Sequence, residues 1–351
     1  MVRDRIQLGG VLSPWRRLVV AAVAAAFAVT ACGGPAAAPS ATSVASSRPS
    51  SPTTTASAPT TADRSPTVPP APVPGGLLAY GRFGPNGTHV FTAHPDGTGE
   101  QALLPSIAEG PRFSSDGRRV AVATEDAHGL LYLALVNPDG SGYVRFARPD
   151  PTLSLGCGAW SPDASRLACE GWDDGNPARN GVYTVRVSDG GGVTRVTTSP
   201  GGGHDVVGGY SPDGRQIVFV RGINVDDERN TLMVVNADGS DPRVLTDRTV
   251  SMGSRWSPDG TTILTEANGS LLLVPAAGGQ PSSIRIEAGS AVNAARGAWS
   301  PDGTWIVFSR VTSTGEDIYV MRKDGTNLHQ ITDTPGQDEE FGEWSVRAPA
   351  P

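Results

Sequence analysis

Short apolar runs recur from about residue 77 to the C-terminus, and many are apolar on successive positions. Val120–Val122, Leu167–Cys169, Ile217–Val220, Ile263–Leu264 and Ile306–Phe308 form one set. Leu131–Val136, Val182–Val187, Leu232–Val235, Leu271–Val274 and Ile318–Met321 form a second. Runs of this length, rich in Val and Ile and bounded by Gly, Pro and Asp, predict strands. Apolar residues on both faces of a strand predict sheets covered on both sides.

The polar positions repeat with them. Phe113-Ser-Ser-Asp-Gly117, Trp160-Ser-Pro-Asp-Ala164, Tyr210-Ser-Pro-Asp-Gly214, Trp256-Ser-Pro-Asp-Gly260 and Trp299-Ser-Pro-Asp-Gly303 each precede the first strand set, and a stub stands at Trp344-Ser345. Pro fixes φ, Asp bonds its own backbone and Gly supplies positive φ, so each phrase reverses the chain. A second tight turn follows the other strand set, at Asp139-Gly140, Asp189-Gly190, Asp238-Gly239, Ala277-Gly278 and Asp324-Gly325. Short fourth strands close the units, as at Arg243–Thr246 and Leu328–Thr332. The aromatics are spaced 47, 50, 46, 43 and 45 residues apart, the period of propeller blades. The N-terminal copy, from Leu77, lacks a first strand, and the stub supplies only one. The chain therefore predicts an all-β, six-bladed β-propeller of four-stranded antiparallel blades over residues 76–348. The C-terminal strand closes its first blade, and residues 349–351 are a tail.

The beginning of the chain is patterned differently. Arg3, Arg5, Arg16 and Arg17 flank the apolar run Leu18–Val29, which has the length of a signal-peptide core and is short for a membrane span. The run ends in Val29-Thr30-Ala31-Cys32. This resembles the bacterial lipobox, which implies a lipoprotein signal peptide over 1–31 and a diacylglyceryl group on Cys32. An ordinary secretory signal with an incidental cysteine is the plainer alternative. Residues 32–75 then form an Ala/Pro/Ser/Thr segment without aromatics, too poor in apolar surface to fold. It is a tether spanning on the order of 35 Å as a coil or about 130 Å as polyproline, either a bare spacer or an O-glycosylated stalk.

The Trp-Ser-Pro-Asp-Gly phrase, the following Ile/Val strand and the Asp-Gly turn together resemble the TolB-type, WD40-like propeller family over roughly 270 residues. The resemblance implies the fold and an extracytoplasmic setting, and carries no single activity. The N-terminal α/β domain of TolB itself has no counterpart in these residues. The Arg-rich composition and tether look actinobacterial.

Charge narrows the partners. The net formal charge is −7, yet residues 1–75 hold six Arg against two Asp, which leaves about −11 on the remainder. That balance argues against a nucleic acid partner. Gly (44) and Pro (30) supply the turns.

Candidate chemistry is sparse. No Gly-x-Ser-x-Gly occurs, and the histidines (His89, His94, His128, His204, His329) show no metal-ligand spacing. No metal or other cofactor is expected. The repeated aspartates read as turn formers. Acidic groups at Glu170/Asp173/Asp174 and Asp226-Asp227-Glu228 are assigned to loops, and Asp338-Glu339-Glu340 precedes the closing strand. Carboxylates gathered there suit Ca²⁺ or a cationic group, or are simply solvated. His204-Asp205 opens a first strand, and Arg112, Arg255 and Glu343 each stand one residue before a repeat aromatic. With Glu340 these are the candidate channel and top-face ligand residues. Counting outward from the Ser161–Ser165 turn sets Trp160 opposite Arg166 and Cys157 opposite Cys169, which gives either a disulfide or two buried thiols.

The expected protein is a membrane-tethered, monomeric binding propeller on the outer face of the cell membrane. Its expected partner is an envelope protein or a cell-wall component. A carbohydrate lyase or hydrolase is the alternative, and an accessory sensor in cell-wall assembly a third.

Overall fold

The computed structural model describes residues 73–345, except 85–86, 126–130, 148–149, 223–229, 252, 287–292 and 313–314. The proposed signal peptide, Cys32 and nearly all of the tether lie outside the described residues, as do Asp226–Glu228.

Six four-stranded antiparallel sheets make up the described chain. Blade one holds β1 (Leu78–Gly84), β2 (Gly87–Ala93) and β3 (Gln101–Ala102). Blade two holds β4 (Ala108–Phe113), β5 (Val120–Glu125), β6 (Leu131–Val136) and β7 (Val144–Arg145). Blade three holds β8 (Ser154–Trp160), β9 (Arg166–Trp172), β10 (Gly181–Arg186) and β11 (Thr194–Arg195). Blade four holds β12 (His204–Tyr210), β13 (Gln216–Gly222), β14 (Asn230–Asn236) and β15 (Arg243–Thr249). Blade five holds β16 (Ser254–Trp256), β17 (Thr262–Ala267), β18 (Ser270–Pro275) and β19 (Ser282–Ser283). Blade six holds β20 (Asn293–Trp299), β21 (Trp305–Val311), β22 (Glu316–Arg322) and β23 (His329–Gln330).

The last strand, β24 (Asp338–Trp344), returns to blade one and pairs with β1, Leu78 opposite Trp344 and Arg82 opposite Glu339. The expected closure is therefore present. Innermost strands β24, β4, β8, β12, β16 and β20 touch in that cyclic order. Apart from β15, the outermost strands have two residues each, which leaves little open edge for a foreign strand.

The successive apolar residues have a direct explanation. On β13, Ile217 and Phe219 join a cluster with blade three, whereas Val218 and Val220 join one with blade five. Each seam between blades holds one such cluster, and the last joins Leu78, Tyr80 and Trp344 of blade one to Trp305, Val307 and Ile318 of blade six. The core is thus a ring of six seams.

Antiparallel pairing puts every Ser-Pro-Asp-Gly turn and every Asp-Gly turn on one face, the turn face. The loops between second and third strands, and the crossovers between blades, lie on the opposite loop face. In each repeat phrase the serine Oγ donates to the aspartate Oδ1 at 2.6 Å. This bond and a backbone N–H hold Asp116, Asp163, Asp213 and Asp259 below the usual carboxylate range, so they remain ionised turn formers. Gly214 has φ +74°, and the aberrant copy forces Ala164 to φ +55°, at a cost of about 1 kcal/mol.

Candidate functional site

A glycine stands two or three residues before the repeat aromatic in every blade: Gly342, Gly110, Gly158, Gly208 and Gly297 within the innermost strand, and Gly253 just before β16. In five of the six, the register against the second strand shifts at this glycine. Such bulges re-aim the residues around them. Carbonyls freed from the ladder at Gly158 and Gly208 are taken by arginines of neighbouring blades. Arg112 donates from Nε to Gly158 O at 2.8 Å, and Arg255 from Nη1 to Gly208 O at 3.1 Å.

Arg255 Nε also lies 3.6 Å from Glu343 Oε1. These residues belong to blades five and one, with blade six between them, so they meet across the central channel. Burial and the charge of Arg255 push the Arg112 pKa down to about 9, with Glu343 opposing them. At neutral pH the Arg112 guanidinium remains charged. The corresponding positions in the other blades are Ala159, Gly209 and Ala298, whose small size leaves room for the three long side chains. At this waist two guanidiniums that donate to backbone carbonyls and one carboxylate paired with Arg255 come from three different blades. Arg112, Arg255 and Glu343, expected to face the channel or a neighbouring blade, each reach a residue of another blade.

The other candidates lie elsewhere. Asp205 is fully buried at the seam between blades three and four. Arg221, opposite it on β13, donates to both of its oxygens at 2.8 and 2.7 Å, and Thr197 donates to Oδ2. His204 Nδ1 lies 3.2 Å from Glu170 Oε1 on blade three. The bond to Glu170 outweighs burial and raises the His204 pKa. The expectation that this pair points toward the channel is therefore corrected: a buried carboxylate needs a full set of donors, and those donors lie in the seam.

The same device recurs at the seam between blades six and one. Glu339 accepts from Arg82 Nε at 2.6 Å and from Thr332 Oγ1 at 2.9 Å. In both seams the threonine Oγ1 also accepts a backbone N–H of its own blade, from Val182 or Ile318, at 2.8 Å. Glu340 turns the other way and is ion-paired with Arg296 of blade six, not aimed into an open channel.

Two acidic groupings change meaning. Glu170 sits on β9 while Asp173 and Asp174 lie in the loop after it, and Asp338–Glu340 sit within β24 rather than before it. Asp173 accepts from the Gly175 and Asn176 backbone and from Arg179. Among the described residues no three His, Cys, Asp or Glu side chains are arranged to hold a metal ion.

For the cysteines the residue pair stands but its derivation changes. Trp160 lies opposite Leu167, one residue beyond the expected Arg166, and the bulge at Gly158 restores the offset, so Cys157 lies opposite Cys169. Cys169 is disulfide-bonded.

Arg296, Glu316 and Glu266, which gather around Glu340, were not singled out from the sequence. Arg82 and Arg221 were also missed. Counting outward from the hairpin turn between β12 and β13, as for the cysteines, sets Arg221 opposite Asp205; no hairpin joins Arg82 to Glu339, which meet where β24 pairs with β1.

The description "TolB beta propeller domain" matches residues 55–295. An uncharacterized protein of Agrobacterium fabrum is 26% identical over 39% of this chain and 44% of its own length. A Tol-Pal system protein TolB of Anaeromyxobacter dehalogenans is 30% identical over 30% of this chain and 25% of its own. The chain thus spans less than half the length of these curated relatives. TolB from Acinetobacter baumannii superposes with a TM-score of 0.62 at 16% identity, covering 77% of this chain and 66% of that one. An oligogalacturonate lyase from Vibrio parahaemolyticus superposes with a TM-score of 0.50 at 13% identity, covering 72% and 73%. At these identities the two structures share a fold with this chain and nothing finer.

Proposed function

We propose a function from one premise: the chain belongs to the TolB β-propeller family. The protein acts as an extracytoplasmic binding module, a monomeric ring held to the membrane by lipid on Cys32. It presents its loop face to another envelope protein or a cell-wall component. One curated relative is a component of the Tol-Pal system, and what we carry over is the role of one component among several, not membership of that system.

The observation that carries this reading is where the chain enters and leaves the ring. Leu78 pairs with Trp344, Ser345 N–H donates to Leu77 O at 2.8 Å and Trp344 Nε1 donates to Gly75 O at 3.3 Å. Both ends of the ring therefore emerge on the turn face. The loops between second and third strands and the crossovers between blades lie on the opposite face. Two or three acyl chains give firm anchoring, since each buried CH₂ contributes about 0.8 kcal/mol.

Photo-crosslinkers at Asp174 on the loop face and Asp139 on the turn face test the reading in cells, with captured proteins and glycans identified by mass spectrometry. Adducts are expected from Asp174, absent from Asp139 and lost in the Cys32→Ala protein. Equal capture from both faces, or none above a tether-only control, overturns it.

We further propose that the partner of Cys169 is Cys157. Alkylation of the unreduced protein should leave both unmodified, and reduction should add two alkyl groups. Two free thiols before reduction would exclude the bond.

A further inference from the structure

The seam that closes the ring buries more acid than base. Glu340 of β24 and Glu316 of β22 face the guanidinium of Arg296 of β20, and Glu266 of β17 accepts its backbone N–H. Arg296 is ion-paired with Glu340, its Nη1 lies 3.8 Å from Glu316 Oε1 and its backbone N–H donates to Glu266 Oε2 at 2.7 Å. Ser309 of β21 donates to Glu316 Oε1. Glu316 and Glu340 are 6% and 2% exposed. Fully ionised, the group would carry three negative charges against one positive, with Glu316 and Glu340 buried where water screens poorly and Glu266 and Arg296 partly exposed.

Nearby groups do not cure the excess. Asp338 of β24 accepts the Glu316 N–H at 3.0 Å and adds another negative charge. Glu339 is already satisfied by Arg82, Thr332 and Thr334. Asp317 of β22 is turned to Gln330 and the Thr334 N–H, and Arg310 of β21 lies over the Tyr319 ring.

We propose that Glu316 and Glu340 together retain one proton beside Arg296, which makes the seam between blade six and the closing strand a pH-sensitive latch. With one proton retained, Arg296 faces about one negative charge fewer and Glu340 keeps its ion pair. When the proton leaves, like charges oppose each other across the strand that closes the ring.

The directions agree. Burial, then the charge of Glu340, pushes Glu316 up to about 8, against Arg296 and the Ser309 bond. Burial also raises Glu340 and Glu266, with Arg296 opposing it in both. A carboxyl raised on folding stabilises fully below its ordinary range and loses that stabilisation as pH rises through its folded value. The window runs from about pH 4.5 to about 8. The His204–Glu170 pair contributes with the same sign but lies at another seam.

Melting of the intact protein should fall on the order of 5 °C between pH 6 and pH 9. Glu316→Gln should flatten most of that fall and melt above wild type at pH 9, with the His204 contribution remaining. An unchanged slope in Glu316→Gln overturns the latch. Infrared difference spectra of the wild type need no variant: a protonated-carboxyl C=O band should persist at pH 7 and bleach near pH 8. Its absence at pH 7 also overturns the proposal. Exchange protection of the β1 and β24 amides, corrected for intrinsic rates, should fall with the same midpoint. Loss at all six seams alike would remove the assignment to this one.

Discussion

Deleting residues 339–351 should abolish cooperative folding of the ring. The deletion removes all but Asp338 of β24, and with it four of the five residue pairs between β24 and β1. It empties the place of Trp344, a 6% exposed side chain in the cluster that joins blade one to blade six. Truncating a buried Trp alone costs about 3–5 kcal/mol. A whole domain is stable by only about 5–15 kcal/mol. Added to that are the lost β1 pairing and the loss of Glu339 from Arg82, although Glu100 still holds Arg82 at 2.7 and 3.0 Å. An open ring also leaves Tyr80 and Trp305 without their cover across the seam. The expected trace is a broad, weakly sloping melt by circular dichroism in place of one sigmoidal transition. A cooperative transition within a few degrees of wild type would show that closure by β24 is dispensable.

The fold was legible because its determinants are local and repeated. A turn such as Tyr210-Ser-Pro-Asp-Gly214 specifies its own reversal, and the doubly apolar run Ile217–Val220 specifies two covered faces. The incomplete copies at Leu77 and Trp344 were legible as complements for the same reason. Arg112, Arg255 and Glu343 share one offset from the repeated aromatic, and that offset is a fixed place in the ring. What the sequence hid were contacts across seams. Glu340 meets Arg296 from another blade, and Arg296 reaches it on a bulge at φ +53° that nothing in Ala295-Arg296-Gly297 announces. The same bulges shifted Trp160 by one residue against Leu167 while leaving Cys157 opposite Cys169. The glycine preceding each aromatic was the available signal, and its meaning depends on a register that only the assembled blade shows.

Asp205 separates a binding residue from a structural one, and Asp205→Ala should destabilise the protein by about 3–5 kcal/mol. The carboxylate is fully buried and takes both donors of Arg221 as well as the Thr197 hydroxyl. Removing it leaves a guanidinium whose side chain is 17% exposed, with Thr198 O at 3.2 Å as its remaining hydrogen-bond acceptor. An unpaired charge at such a site costs far more than the intact pair contributes, because its desolvation is no longer offset. The asymmetry is itself testable. Replacing both partners, as Asp205→Ala with Arg221→Met, removes the charge along with its counterpart and should recover most of the loss. Asp205→Asn should fall between, since it keeps an acceptor for Thr197 but faces Arg221 without charge. Urea midpoints at constant m-value measure all three. If Asp205→Ala stays within about 0.5 kcal/mol of wild type, the scale of an ordinary surface substitution, Asp205 is not a seam latch. Its pairing with Arg221 would then be incidental, and a role in holding a ligand would again be the better account of a carboxylate buried at the loop-face end of an innermost strand.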